Sequence, residues 1–149
     1  MTEKKPLIRH PGVLTRFFLP AAVVFALSVS ESALAANKTF TGPGNFSTAT
    51  LWNGNSLPAV GDNLTIRGAC TFDNGASNLA YGTLTLGGAA TAGALSWPAG
   101  GTNTLNVTAV SAGVAGSAIN MTNGGTLQIR TSWSTTNMTF TPGAGTIQW

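Results

Sequence analysis

The chain has 149 residues, only 7% of them charged, with 19 glycines and a single cysteine. That length leaves room for one domain, and one cysteine excludes a disulfide framework. The formal net charge of +3 is misleading, because Lys4, Lys5, Arg9 and Arg16 all lie in the first sixteen residues. Beyond residue 35 only Lys38, Arg67 and Arg130 stand against Asp62 and Asp73, a net +1. Such a balance gives no electrostatic footprint for nucleic acid or anionic lipid.

In chain order, the basic opening leads into an apolar run from Phe17 to Ser30 and then to Ala33-Leu34-Ala35. A basic head, an apolar stretch and small residues two apart are the pattern of a secretory signal, with cleavage predicted between Ala35 and Ala36. As a helix, about fourteen apolar residues rise only about 21 Å, short of a hydrocarbon core of about 30 Å. Residues 1–35 are therefore read as a signal peptide and 36–149 as the exported chain. Its destination is the extracellular space, the cell surface or the periplasm, with no membrane insertion of the mature part.

Residues 36–62 hold Phe40, Phe46 and Trp52 among Gly42-Pro43-Gly44, Asn53-Gly54 and Pro58. This segment is expected to cap the end of a stack, where exposed strand edges would otherwise invite foreign pairing.

Residues 63–149 read as repeats. Leu64-Thr65-Ile66, Leu84-Thr85-Leu86, Leu105-Asn106-Val107, Leu127-Gln128-Ile129 and Ile147-Gln148-Trp149 start 20, 21, 22 and 20 residues apart. A second series lies between them: Cys70-Thr71-Phe72, Leu95-Ser96-Trp97, Ile119-Asn120-Met121 and Met138-Thr139-Phe140. Strand side chains alternate in direction, so the outer two residues of each triplet face inward and the uncharged polar middle one faces out. Asp73-Asn74-Gly75, Gly87-Gly88, Gly100-Gly101 and Asn123-Gly124-Gly125 supply the turns. The expected fold is all-β, a right-handed parallel β-solenoid of four to five coils of about 21 residues. The alternative is an antiparallel β-sandwich, which short strands at this spacing also suit.

The run from Phe46-Ser47 through Trp52 to Pro58-Ala59-Val60-Gly61-Asp62-Asn63, followed by Gly82-Thr83-Leu84, Gly125-Thr126-Leu127 and Gly145-Thr146-Ile147, resembles the opening of bacterial surface proteins of β-helix type. The resemblance implies kinship with autotransporter passengers, sorting-signal exoproteins and adhesins. The chain lacks their further repeats, translocator barrel and sorting tail, so it is expected to be the N-terminal portion of a longer protein.

Residues 36–149 contain no His and no Glu, so a conventional Ser/His or Cys/His pair cannot be assembled. Asp62 and Asp73 are the only carboxylates there and both read as turn residues. Arg67 and Arg130 each follow an Ile that closes a strand triplet and are expected to point outward as solvated strand ends. Two scattered acids do not make a calcium site, and Cys70, at an inward position, is expected to be a buried, inert thiol without partners for zinc. Neither a metal nor a cofactor is expected. Trp97 and Trp149 fall at inward positions and Trp52 in the cap, which leaves Trp133 and Tyr81 as the candidate platforms for a sugar ring. The sequons at Asn37, Asn45, Asn63, Asn106, Asn120 and Asn137 follow from composition.

The expected function is a non-catalytic, adhesin-like surface module directed at glycans or extracellular matrix, with self-association through the C-terminal solenoid edge. One alternative is the N-terminal part of a larger carbohydrate-active β-helix enzyme of lyase or hydrolase type. A third reading, ice or crystal-surface binding, is weakened by the mixed Thr, Ser, Asn and Gln of the outward columns.

Overall fold

Alternating apolar and polar residues favour strands, and the computed structural model describes residues 34–73 and 79–149 as strands and turns with only two short turns of 3-10 helix, Ala49–Leu51 and Asn53–Asn55. The leader up to residue 33 and the Asn74-Gly75 part of one turn lie outside the described residues. The strands are β1 (Asn37–Thr41), β2 (Gly44–Asn45), β3 (Asn63–Thr71), β4 (Ala80–Leu86), β5 (Gly93–Ser96), β6 (Gly101–Ala112), β7 (Ser117–Asn120), β8 (Gly124–Trp133), β9 (Met138–Thr141) and β10 (Thr146–Gln148).

All pairings between these strands are parallel, and most partners lie one coil apart in sequence. One face stacks β1, β3, β4, β6, β8 and β10; the other stacks β2, β3, β5, β7 and β9. The protein is a parallel β-solenoid of about four turns. Parallel ladders exclude the antiparallel sandwich.

The core is a set of inward columns. On the first face Leu64, Leu84, Val110 and Trp133 stack in register, as do Leu105, Leu127 and Ile147, and Tyr81, Val107 and Ile129. On the second face the column is Cys70, Leu95, Ile119 and Phe140. Every one of these except Trp133, Phe140 and Ile147 is buried. β3 serves both faces by bending at Gly68, whose φ is +93° and where a Cβ would lie 2.4 Å from the Gly42 carbonyl oxygen. Only glycine fits that corner without strain.

The columns correct the 21-residue register. Leu84 stacks on Leu64, 20 residues back, but its neighbour above is Val110, 26 residues on, rather than Leu105. Likewise Ile119 meets Phe140, so Met138 pairs with Ser117 and the last triplet of the second series is displaced by two. The physical reason is that β6 is twelve residues long and presents two inward sets. β8 pairs along residues 101–110 of β6 and β4 along residues 106–112, so its two partners overlap only in part. Two outward assignments also change. Asn106 is buried and accepts a hydrogen bond from Arg130 Nε at 3.1 Å. Arg67 is half-buried rather than a fully solvated strand end, with Nε shielded beside Gly88.

Residues 36–62 do more than cover the stack, since β1 and β2 form its first rung. The seal comes from the residues that follow. Trp52 lies at 2% exposure, packs edge-on against Phe40 and Phe46 at 5.3 and 4.8 Å, and donates Nε1–H to the Phe46 carbonyl at 2.8 Å. Asn53 then satisfies the outer edge of β1, accepting from Thr39 N at 2.8 Å and donating to Asn37 O at 3.2 Å. An edge whose backbone groups are already bonded offers little to a foreign strand.

Candidate functional site

At the opposite end the last described members of the columns are large apolar side chains. Trp133 ends the Leu64 column, Phe140 the Cys70 column and Ile147 the Leu105 column. Together with Thr135 and Trp149 they line a wide, open concavity of about 370 Å³. The Trp133 ring meets Phe140 edge-on at 5.0 Å and tilts against Trp149 at 6.4 Å. Trp149 is 74% exposed, which corrects its assignment to the core: it follows β10, and among the described residues nothing packs over its outer face.

Of the two residues proposed from sequence as sugar platforms, the structure separates the pair. Trp133 lies in the concavity, whereas Tyr81 is 2% exposed in the core, stacked below Val107 with its ring 5.9 Å from Phe46. Tyr81 is therefore no surface platform. Its tyrosine ring fills space opened by the first rung. Sequence reasoning missed Phe140, Ile147 and Trp149 as companions of Trp133. The available signal was that each belongs to the final triplet of its series.

The concavity is lined by uncharged side chains. No residue from Thr131 to Trp149 is charged. The Trp133 indole Nε1 is shielded and meets no acceptor among the described residues. What remains is an aromatic and aliphatic surface, able to take the C–H face of a flat neutral ligand by stacking and dispersion.

The groups with intrinsic reactivity lie elsewhere and are committed to structure. Asp73 accepts from Ser47 N at 2.9 Å and Ser47 Oγ at 2.6 Å, tying the turn after β3 to the first rung. Asp62 is 5% exposed, accepting from Ala36 N and Ala59 N, each at 2.8 Å. Cys70 is buried, and burial, then the Asp73 carboxylate, push its thiol well above the ordinary range. A thiol held protonated is a poor nucleophile and a poor metal ligand. Among the described residues no three His, Cys, Asp or Glu side chains cluster closely enough to hold a metal ion.

Fold and site together define the class: a parallel β-solenoid sealed at its first rung and, among the described residues, bearing an aromatic concavity at the β9–β10 end. No family model matches the chain, and neither a curated protein nor a solved structure matches it.

Proposed function

We propose that this chain is an exported, adhesin-like β-solenoid module that holds neutral glycans in the aromatic concavity at its β9–β10 end and catalyses no reaction on its own. The observation that carries the reading is the concavity itself, where exposed Trp149 and half-buried Trp133 stand beside Phe140 among uncharged lining side chains. Sugars present apolar C–H faces that stack on indole, and a neutral site suits neutral saccharides better than acidic ones. The resemblance of the Trp52 and Pro58–Asn63 segment to bacterial surface proteins supports the same placement outside the cell.

The test is titration of neutral and acidic oligosaccharides into the exported protein, followed by tryptophan fluorescence and calorimetry. Neutral sugars should bind with little dependence on salt, and Trp149→Ala should weaken them by about tenfold or more. Binding confined to acidic sugars, or unchanged in Trp149→Ala, would reject the reading.

A second reading is self-association through the same end, favoured by β9 and β10 standing last in the strand order with one side unpaired among the described residues. Because Asn53 occupies the β1 edge, the partner surface is the β9–β10 end of a second copy, giving a two-fold, antiparallel junction. Mass measured by sedimentation equilibrium should then rise with concentration, and Thr139→Lys should hold the protein monomeric.

A further inference from the structure

The segment between the expected leader and the first strand carries a contact whose chemistry changes on processing. Leu34, Ala35 and Ala36 are exposed and lie outside any strand, so the Ala35–Ala36 bond is open to a peptidase. On the Ala36 side of that bond the chain is held: Ala36 O accepts from Asn63 N at 2.8 Å, and Ala36 N donates to Asp62 Oδ1 at 2.8 Å. Asp62 is 5% exposed and its other oxygen is taken by Ala59 N. Among the described residues no Lys or Arg is paired with it. The nearby Lys38 on β1 gives its ammonium to Ser56 Oγ at 2.6 Å, and Arg67 lies at the far end of the β3 segment that pairs with β1. A nearly buried carboxylate facing only amide N–H groups lacks a counter-charge.

We propose that leader removal at Ala35–Ala36 completes the fold: the new Ala36 α-ammonium becomes the counter-ion of Asp62 and clamps the first rung onto the turn before β3. In the cleavage, water adds across the amide, Ala35 keeps the carboxylate, and the Ala36 nitrogen leaves as an amine that takes up a proton. The amide-to-carboxylate hydrogen bond then becomes an ammonium–carboxylate pair at the same position, a shorter and stronger contact. The clamp rests on the export reading and is independent of glycan binding at the other end of the stack.

The sign of its pH dependence follows from the amine. A carboxylate neighbour favours the charged form, so the folded amine titrates above its ordinary range of about 7.7–8.0. The added stability is complete below that range and disappears as pH rises through the folded value.

The experiment starts with N-terminal sequencing of the exported protein and an NMR pH titration of its α-amine. Stability is then compared with a form carrying one extra N-terminal residue, each with and without Asp62→Asn. The expected result is a start at Ala36, an amine that titrates above the ordinary range, and an unfolding constant about tenfold larger in the extended form. That difference should vanish with Asp62→Asn. A start elsewhere, an amine titrating normally, or equal stability of the two forms would overturn the proposal. If Asp62→Asn fails to fold, the amine titration in the unaltered protein decides alone.

Discussion

Gly125, near the start of β8, has a φ of +87°, and a Cβ placed there would lie 2.1 Å from Cδ1 of Trp97. The Trp97 ring cannot retreat easily: it is 1% exposed, faces Phe72 at 6.0 Å, and donates Nε1–H to Asn103 O at 3.0 Å. Gly125→Ala therefore meets two penalties. The left-handed backbone costs a side chain about 1–2 kcal/mol, and forcing a methyl into a filled core costs about 1–3 kcal/mol. The total of about 2–5 kcal/mol is a large share of the roughly 5–15 kcal/mol that holds a domain folded. Urea unfolding followed by circular dichroism measures it, and a double-mutant cycle separates the two parts. With Trp97→Leu in place the clash is relieved, so the double variant should be more stable than the sum of the single losses by about 1–3 kcal/mol. Additive losses, or a Gly125→Ala cost below about 0.5 kcal/mol, would refute the packing of Trp97 over β8.

Further outcomes follow from other parts of the stack. Leu127 is fully buried between Leu105 and Ile147, so Leu127→Asp should prevent folding, while Gln128→Thr, changing a half-buried outer residue, should shift stability by less than about 0.5 kcal/mol; circular dichroism of both variants decides. Phe72 is wholly buried between Phe46 and Trp97, and Phe72→Ala should cost about 3–5 kcal/mol in urea unfolding, whereas Trp149→Ala should leave stability within about 0.5 kcal/mol. Cys70 should not react with an aromatic disulfide reagent until the protein is denatured. Because its folded thiol titrates above the unfolded one, Cys70 should also lower stability as pH rises above the ordinary thiol range, an effect absent in Cys70→Ala.

The alternation of apolar and polar residues made the strands legible, along with their inward and outward sides and the stacked architecture. Cys70, Leu95 and Ile119 fall in one column as their spacing suggested. What alternation does not carry is which face of the coil a triplet belongs to. Leu84-Thr85-Leu86 and Leu105-Asn106-Val107 look alike in sequence, yet they lie on different parts of the coil because β6 is long enough to turn across two of them. The same ambiguity hid the site. Trp149 has the residue type and position of a core member, and only the three-dimensional stack shows that its column has no further rung over it among the described residues. Tyr81 was misplaced for the opposite reason, since its burial depends on Phe46 of the first rung, 35 residues earlier. The hydrogen bonds of Asp62 were also invisible to spacing, although its place in the turn before β3 was not.

The measurement that tests the stack most directly is disulfide formation between engineered cysteine pairs on the outer face. Thr85 and Ser111 are register partners on β4 and β6, so Thr85→Cys with Ser111→Cys should cross-link on mild oxidation, the Cα separation in a ladder falling within the range a disulfide spans. Asn106, the partner of Thr85 under a uniform 21-residue repeat, instead pairs with Ala80, so Thr85→Cys with Asn106→Cys should stay reduced. Cross-linking of the second pair and not the first would contradict the account.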